Sequence, residues 1–214
     1  MILKKYLTKN LNPKGFGSNH NIAFEVMSPD IIMVVNPDIR LQGKFSLDFL
    51  QISIDRPGIY SPKIINPKGD YEDFYRQTVT PVTLIRRYLR IGRKEKQEWL
   101  AGMFLIINGS SFIKLHGFDE KFFMYVEDCD LSYRAHEIKL SVACFDDITV
   151  IHDARRSSRK SLVHLFWHSK SLIYFWIKLL CRKITTKKLK NNHYLIKTRE
   201  MATEKKHSPM EPLM

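Results

Sequence analysis

The chain has 214 residues, 44% of them hydrophobic and 12% aromatic, and a formal net charge of +13. This composition excludes a chain that is disordered throughout and fits one domain of moderate size with an appendage. Residues 151–214 hold fifteen Lys and Arg against four Asp and Glu, so +11 of the charge lies there and the first 150 residues are almost neutral. The basic part predicts a local contact with an anionic partner, either a membrane leaflet or nucleic acid.

The first half of the chain is predicted to contain a helix that starts near Asn19. Residues 31–35 form an apolar, β-branched run that ends at Asn36-Pro37-Asp38, which is typical of a buried parallel strand with a turn at its carboxyl end. The prolines and glycines of residues 53–95 predict a loop-rich insertion with a helix near its end.

The second half alternates predicted strands with a helix. Residues 103–107, 142–145 and 148–151 are predicted strands. Between them, the acidic run at 127–130 opens a helix whose apolar residues recur at helical spacing up to Ile138. Mixed strands and helices in this order favour a three-layer α/β fold.

Residues 161–181 are apolar overall, but four His and Lys side chains interrupt them, so they lack the roughly 20 nearly uncharged residues of a membrane-spanning helix. At 100° per residue most of the polar side chains fall on one stripe, which predicts an amphipathic helix. The residues of this stripe are His164, His168, Ser171, Lys178 and Arg182. Such a helix either lies on a membrane surface or packs on the domain. From residue 197 onward the composition predicts a disordered tail.

The three cysteines, Cys129, Cys144 and Cys181, have neither the even number nor the close spacing of a disulfide framework or a zinc site. A reducing compartment is therefore expected. Residues 1–6 contain no apolar run of the length found in a signal peptide. We therefore interpret the chain as cytosolic.

Asp38 and His152 each stand at the end of a predicted strand. Open α/β sheets bind ligands at such strand ends, and a carboxylate there suits Mg²⁺ or Mn²⁺. If the two strands are parallel, His152 reaches the same sheet edge as a metal ligand or diphosphate contact. Two alternatives stay open, because Asn-Pro-Asp is also an ordinary turn sequence and an isolated histidine is often structural.

Gly15-Phe16-Gly17 precedes the predicted first helix. Its glycines and the first amide groups of the helix could approach a phosphate or a donor sugar closely. Two glycines at this spacing also occur in many turns, and no complete Gly-x-Gly-x-x-Gly is present.

The segment 117–131 carries the most informative pattern. Glu127, Asp128 and Asp130 place three carboxylates within four residues, and their mutual repulsion is expected to raise at least one pKa toward the range of a general base. Acids in the first turn of a helix also stabilise its dipole, so capping is the alternative. The aromatic residues just before the acids would form a partly dry wall, which strengthens electrostatic interactions.

In order along the chain, these pieces resemble the family-2 glycosyltransferases, especially the bacterial rhamnosyltransferases that build O-antigen on a lipid carrier. The matching pieces span about residues 15–180: Gly15-Phe16-Gly17 with Asn21, Val35-Asn36-Pro37-Asp38-Ile39, Trp99 with Ala101-Gly102, Gly117 to Leu131, and His152 followed by Ser157 and Ser158. The resemblance implies a GT-A fold, which is a three-layer α/β/α arrangement around a mixed sheet, with the C-terminal amphipathic helix added to it. It implies inverting transfer of a sugar, rhamnose being expected, from a nucleotide-diphosphate donor such as dTDP-rhamnose. The implied acceptor is a lipid-diphosphate-linked glycan or polysaccharide in lipopolysaccharide-type surface synthesis.

The resemblance also implies roles for single residues. Asp128 would be the general base, with Glu127 or Asp130 holding the acceptor. Asp38 would be the last carboxylate of the family's metal motif, here Asn-Pro-Asp in place of the commoner Asp-x-Asp, and His152 would help to hold Mg²⁺ or Mn²⁺ or the diphosphate. One carboxylate fewer leaves the metal requirement open. The residues expected to bind donor or acceptor are Gly15, Phe16, Gly17, Asn21, Asn36, Trp99, Gly102, Asp130 and Arg134.

The chain departs from the family pattern in two places. Family members open with a strand, a helix and a second strand that grip the nucleotide, whereas Met1 precedes Gly15 by only about fifteen residues. We therefore expect an N-terminally truncated GT-A domain at 1–155, a basic helical membrane-proximal segment at 156–196 and the disordered tail at 197–214. The second departure is His116, which stands where a glycine is common and alters one turn.

The expected location is the cytoplasmic side of the plasma membrane, with the chain bound peripherally to the inner surface and without a nucleic-acid partner. Three alternatives remain. The transferred sugar could be another hexose such as galactose or glucose, the chain could be an inactive truncated remnant, or it could be a basic α/β protein that binds membrane or nucleic acid.

Overall fold

The computed structural model describes residues 12–42, 55–89, 91, 97–153 and 162–206, and the side chains of 186–206 are outside this description. The chain divides into two compact units, Met1–Ile173 and Tyr174–Met214. In the described residues, the helices are α1 (Phe16–Met27), α2 (Pro81–Tyr88), α3 (Gly109–Lys114), α4 (Glu127–Glu137) and α5 (Leu162–Lys206). The strands are β1 (Ile31–Val35), β2 (Ile39–Leu41), β3 (Gly58–Ile65), β4 (Tyr75–Arg76), β5 (Trp99–Leu100), β6 (Phe104–Asn108) and β7 (Ser141–His152).

Five of these strands form one mixed sheet in the order β1-β6-β3-β7-β2. Strands β3 and β7 run parallel, and the other neighbours in this sheet run antiparallel. Strands β4 and β5 form a separate antiparallel pair. All five residues of β6 are buried, so the core lies around this strand and β3. The predicted α/β fold with a mixed sheet is confirmed.

Residues 31–35 form the predicted strand, β1, but the prediction that this strand is buried between parallel neighbours was wrong. The strand lies at one edge of the sheet and pairs antiparallel with β6. Ile32 and Val34 are buried, whereas Met33 and Val35 are 39% and 43% exposed. An apolar run identifies a strand but does not reveal the direction or number of its neighbours, and an antiparallel edge strand buries one face only.

The prediction that residues 53–95 form a loop-rich insertion was wrong for β3, which is the middle strand of the sheet. Its proline is tolerated because the register with β7 shifts between Pro62 and Lys63, where the ladder is already interrupted. Gly58 is required by close packing, since a Cβ there would lie 2.5 Å from the carbonyl oxygen of Ser141. The helix expected near the end of this region is confirmed as α2. The two strands predicted at 142–145 and 148–151 are one continuous strand, β7, with this irregularity between them.

The helices agree with the periodicity but differ at their ends. Helix α1 already starts at Phe16, so Gly17 and Ser18 belong to its first turn instead of a preceding loop. Helix α4 starts at Glu127 as predicted and stops at Glu137, which leaves Ile138 as its exposed cap residue.

Helix α5 continues through residues 197–206, where the composition predicted a disordered tail. No proline or glycine occurs within its range, and Pro209 is the first such residue after it. Residues 207–214 lie outside the described residues, as do Ser157, Ser158 and the basic residues at 155–160. Over the part of the chain that is described, we find no helical stretch with the length and apolar character needed to cross a bilayer. Cys129, Cys144 and Cys181 are free cysteines.

Candidate active site

A cavity of about 490 Å³ lies at the amino end of α4. Six of the predicted site residues line it: Phe16, Asn36, Trp99, Gly102, Glu127 and Asp128. They come from α1, the turn after β1, the β5–β6 region and α4, so the fold brings together residues up to 112 positions apart, from Phe16 to Asp128. This convergence makes the cavity the candidate active site.

The backbone before α4 is strained, and this strain positions the acidic pair. Tyr125 and Val126 have φ angles of +71° and +72°, in the left-handed region. A β-branched residue such as Val126 is rarely found there, and such conformations persist where surrounding structure enforces them, often at functional sites. Val126 is the N-cap residue of α4, so Glu127 and Asp128 open the helix beside the cavity.

Asp128 is held by the protein backbone. Its Oδ2 accepts a hydrogen bond from the Gly102 amide at 2.7 Å, and its Oδ1 accepts one from the Cys129 amide at 2.8 Å. Burial raises the pKa of Asp128 above its ordinary value, while these amides and the positive charge of Arg76 act in the opposite direction. The carboxylate is therefore oriented, and its charged form has several stabilising partners.

Glu127 has the opposite environment. Its side chain is buried, and Oε2 has no hydrogen-bond partner among the described residues. Burial, followed by the negative charge of Asp128, raises the pKa of Glu127 to about 8. At neutral pH this environment favours a protonated Glu127. The raised pKa expected from the acidic cluster is found at this pair.

Asp130 and Arg134 have mainly structural contacts. Asp130 is 1% exposed, and its Oδ2 lies 2.7 Å from Arg134 Nε. The Arg134 guanidinium also donates to the carbonyl oxygens of Leu115 and Gly117. The pair thus fixes the turn before the acidic motif, and neither residue lines the cavity. This placement departs from the substrate contact expected from the sequence.

The turn at residues 116–117 contains His116, which stands where the family commonly has a glycine. His116 and Gly117 have φ angles of +55° and +65°, in the region that glycine adopts most easily. The turn at His116 therefore retains the left-handed backbone that a glycine would favour.

Gly15, Gly17 and Asn21 fasten α1 to the turn after Gly117. A Cβ on Gly17 would lie 2.6 Å from Phe118 Cβ, and one on Gly15 would lie 2.6 Å from the Phe123 carbonyl oxygen. The Asn21 side chain donates to the Phe118 carbonyl and accepts from the Phe118 amide, both at 2.9 Å. Close packing therefore accounts for these glycines and for Asn21, and none of the three lines the cavity. Their predicted donor-binding role has no supporting contact here.

Trp99 forms one wall of the cavity. Its indole Nε1 donates to the Gln77 carbonyl oxygen at 2.8 Å, and the Arg76 guanidinium lies 5.3 Å from its ring centroid. At this distance the cation interacts favourably with the face of the ring. The wall therefore presents a fixed aromatic surface with a positive charge beside it.

The first turns of α5 pack next to the acidic pair. The Tyr125 hydroxyl lies 2.6 Å from His164 Nδ1, and Ser171 Oγ donates to the Met124 carbonyl oxygen at 2.8 Å. His168 lines the cavity. The polar stripe of residues 164–171 therefore faces the protein.

Asp38 and His152 lie next to each other outside the cavity lining. Ile39 and His152 are paired between β2 and β7, and His152 Nε2 lies 3.4 Å from Asp38 Oδ2. The other ring nitrogen, Nδ1, lies 3.0 Å from Glu72 Oε2. The antiparallel pairing of β2 with β7 therefore brings Asp38 and His152 together. From the sequence they were expected to meet at the ends of two parallel strands.

Comparisons with known proteins point to one family. No family model matches the chain. Over 168 residues the chain is 31% identical to N-acetylglucosaminyl-diphospho-decaprenol L-rhamnosyltransferase of Mycobacterium tuberculosis, covering 68% of this chain and 54% of that protein. Over 180 residues it is 24% identical to rhamnosyltransferase WbbL of Escherichia coli K12, covering 73% of this chain and 68% of that protein. The chain is a homologue of the bacterial rhamnosyltransferases.

A solved structure supports the GT-A fold. GalNAc-T7, crystallised with UDP, GalNAc and Mn²⁺, matches 69% of this rhamnosyltransferase homologue and 32% of its own chain with a TM-score of 0.51 at 15% identity. The expected GT-A fold is therefore confirmed, and the expected resemblance to the rhamnosyltransferases is confirmed by the two relatives above. The homologue spans about half the length of the Mycobacterium tuberculosis relative.

The fold family implies a divalent cation, and two residues of the rhamnosyltransferase homologue fit one. Asp38 Oδ1 and His152 Nε2 are buried and have no hydrogen-bond partner among the described residues. A carboxylate oxygen and an imidazole nitrogen are both ligand types for Mn²⁺, and the contact of Nδ1 with Glu72 would orient the ring. Within the described ranges, no group of three or more His, Cys, Asp or Glu residues could hold a metal ion. The protein therefore offers two donor atoms here and no complete coordination shell.

Four residues at these sites were not predicted from the sequence: Glu72, Arg76, Arg87 and His168. Arg87 belongs to a basic stretch and His168 to the polar stripe of α5, so both had a local signal. Glu72 and Arg76 are single charged residues in a loop-rich region, and their roles depend on partners distant in sequence.

Proposed function

We propose that this rhamnosyltransferase homologue is an inverting glycosyltransferase that moves a sugar from a nucleotide-diphosphate donor to a lipid-diphosphate-linked acceptor. Rhamnose is the first candidate for the sugar, and surface-polysaccharide synthesis is the proposed context. The observation that carries the proposal is Asp128, an oriented carboxylate on the wall of a cavity with a residue of raised pKa beside it. The similarity to a rhamnosyltransferase named for a diphospho-decaprenol acceptor supports this choice of substrates.

In the proposed reaction, Asp128 removes the proton from an acceptor hydroxyl group. The hydroxyl oxygen forms a bond to the anomeric carbon as the bond from that carbon to the donor diphosphate breaks, and the diphosphate leaves with the electron pair. Glu127, protonated at neutral pH, can donate a hydrogen bond to the acceptor. In this arrangement the base and the hydrogen-bond donor are adjacent residues with separate tasks.

The test is transfer by the purified full chain, with dTDP-rhamnose as donor and a GlcNAc-diphospho-lipid as acceptor. Replacing the base in Asp128→Asn should lower the rate about 10²- to 10⁴-fold, the usual contribution of a general base. Asp30→Asn makes the same chemical change at an exposed position and should leave the rate unchanged. Wild-type rates in Asp128→Asn would refute the proposal, whereas transfer from another nucleotide-sugar alone would replace rhamnose.

We also propose that Asp38 and His152 hold a divalent cation, Mn²⁺ or Mg²⁺. When bound, the ion would neutralise charge on the leaving diphosphate. The support is the pair of buried, unpartnered donor atoms described above. Titration with Mn²⁺, followed by electron paramagnetic resonance, should show at least tenfold weaker binding in Asp38→Asn and in His152→Gln. Equal Mn²⁺ binding by the wild type and both variants would contradict this assignment.

We further propose that the chain binds peripherally to an anionic membrane through α5. In the first unit, Leu162, Leu165 and Phe166 are 82%, 62% and 64% exposed. Exposed apolar side chains on a helix, in a region with an excess of +11 charges, are typical of binding at an anionic lipid interface.

Sedimentation with vesicles tests this membrane contact. The full chain should bind vesicles that contain phosphatidylglycerol more tightly than neutral vesicles, and Leu165→Ser with Phe166→Ser should weaken the binding. The membrane proposal would be contradicted if vesicle binding depended neither on phosphatidylglycerol nor on the two substitutions. A stronger, salt-sensitive affinity for nucleic acid would also contradict it.

A further inference from the structure

Glu72 contacts the imidazole ring of His152 through the nitrogen that does not face Asp38. Its Oε2 lies 3.0 Å from His152 Nδ1, whereas His152 Nε2 lies 3.4 Å from Asp38 Oδ2. The side chains of Glu72 and His152 are only 15% and 8% exposed, so water competes little for this contact. The ring is therefore held between two carboxylates, one at each nitrogen.

The partner of Nδ1 decides which nitrogen of a neutral His152 ring carries the hydrogen. A carboxylate has acceptor atoms only, so its contact with Nδ1 is a hydrogen bond when the hydrogen lies on Nδ1. Nε2 then presents a lone pair, which is the form of imidazole that binds a metal ion. Nε2 and Asp38 Oδ1 are both buried and have no hydrogen-bond partner among the described residues. Two acceptor atoms in this setting match a cation.

The chain segment after β3 brings Glu72 to this ring. Asn66 begins a tight turn, in which its Oδ1 accepts hydrogen bonds from the amides of Lys68 and Asp70 at 2.8 and 3.0 Å. After the turn the Glu72 amide donates to the carbonyl oxygen of Ile64 at 2.9 Å. Strand β3 pairs with β7, the strand that ends at His152. Backbone hydrogen bonds therefore fix both partners of the contact.

We propose that Glu72 is a positioning residue for the cation site, which holds the hydrogen of His152 on Nδ1 and so keeps the lone pair of Nε2 available beside Asp38. This inference rests on the proposal that Asp38 and His152 hold the ion, and it names the residue that prepares one of the two ligands. Glu72 acts through His152 and not as a third ligand. Within the described ranges, no group of three or more His, Cys, Asp or Glu residues could hold a metal ion.

The first measurement is the tautomer of His152 in the metal-free full chain, read from the nitrogen chemical shifts of the ring at pH 8. His152→Gln identifies its signals among those of the eight histidines. The form with hydrogen on Nδ1 should predominate in the wild type. Glu72→Gln should raise the share of the other form, because the Gln amide offers Nδ1 an N–H group as well as an oxygen. A merely structural role of Glu72 would leave the tautomer unchanged.

The second measurement is Mn²⁺ binding to the full chain, followed by electron paramagnetic resonance. Glu72→Gln should weaken binding by about 10- to 100-fold, the usual effect of losing the partner of a ligating histidine. Glu72→Asp keeps the negative charge but withdraws it from the ring by one methylene group, so it should weaken binding as well. Position and charge are thereby separated.

The control is Asp70→Asn, which removes a carboxylate from the same neighbourhood. Asp70, Glu72 and His152 line one cavity of about 340 Å³. Asp70 accepts a hydrogen bond from Asn66 Nδ2 at 3.0 Å, and the oxygen of an Asn side chain can keep this bond. Asp70→Asn should therefore show the wild-type tautomer of His152 and the wild-type affinity for Mn²⁺.

Three results would overturn the assignment: the wild-type tautomer in Glu72→Gln, the wild-type affinity for Mn²⁺ in Glu72→Asp, or an equal loss of affinity in Asp70→Asn and Glu72→Gln. The last two would reduce the role of Glu72 to its charge. Failure of the cation proposal has a different signature, since Mn²⁺ binding would then be the same in the wild type, Asp38→Asn and His152→Gln. The tautomer of the metal-free protein does not depend on that result.

Discussion

Replacing Glu127 by Gln should reduce the fall in stability with rising pH between about 5 and 8. The folded protein raises the pKa of Glu127 from 4.5 to about 8. The native state therefore keeps a proton that the unfolded chain releases, and the free energy of unfolding falls as the pH rises from about 4.5 and levels off above about 8. Gln has the shape of protonated Glu and no charge to lose in this range.

The size of this change in stability follows from the difference between the two pKa values of Glu127. At about 1.36 kcal/mol per pKa unit, the change at Glu127 corresponds to roughly 5 kcal/mol between the two ends of this range. The negative charge of Asp128 supplies part of it. At pH 8.5 we therefore expect Glu127→Gln to be more stable than the wild type by a few kcal/mol, whereas at pH 5 the two proteins should differ little.

Urea unfolding followed by circular dichroism at several values between pH 5 and 8.5 measures this difference. Glu25→Gln makes the same substitution at an exposed position and should keep the wild-type pH dependence. If Glu127→Gln lost stability with rising pH as steeply as the wild type, the buried, protonated state of Glu127 would be wrong.

Further predictions concern the contacts that hold the acidic motif, and urea unfolding checks each of them. Arg134→Leu leaves Asp130 buried without its partner and should cost about 3–5 kcal/mol, most of which the additional change Asp130→Leu should restore. Asn21→Ala removes the paired hydrogen bonds to Phe118 and should cost about 2–3 kcal/mol, so a loss below about 0.5 kcal/mol would contradict the clamp described above. Gly17→Ala forces a Cβ against Phe118 and should cost about 1–3 kcal/mol, which unchanged stability would refute.

Local sequence patterns predicted α4 and the acidic pair well. The spacing of apolar residues and the acids at 127–130 lie within a few residues of each other, so the chain itself contains the information. Features that depend on one segment alone could therefore be predicted from the sequence.

Contacts between distant segments could not be predicted in this way. Asn21 has its partner Phe118 97 positions away, and Gly15 packs against Phe123. Gly15 was expected near a phosphate or a donor sugar because a glycine before a helix suits a ligand as well as it suits a close backbone contact. Asn21 was assigned to donor or acceptor binding by the family resemblance. The sequence pattern is the same in both cases, and only the fold distinguishes them.

The position of each strand within the sheet could not be predicted from the sequence either. Residues 31–35 and 58–65 are both strands, but the first is an edge strand and the second, despite Pro62, is central. A proline argues against a central strand only where the ladder is regular. The irregularity opposite Pro62 arises in β7, and therefore nothing in residues 58–65 themselves could reveal it.

The contact between α5 and Tyr125 connects the proposed membrane-binding helix with the start of α4, which carries the acidic pair. Tyr125 touches His164 on one side and, through Val126, leads directly into Glu127 on the other. Through this contact the first turns of α5 adjoin the start of α4. If α5 binds a membrane as proposed, the lipid contact would therefore lie next to the residues that carry the two carboxylates.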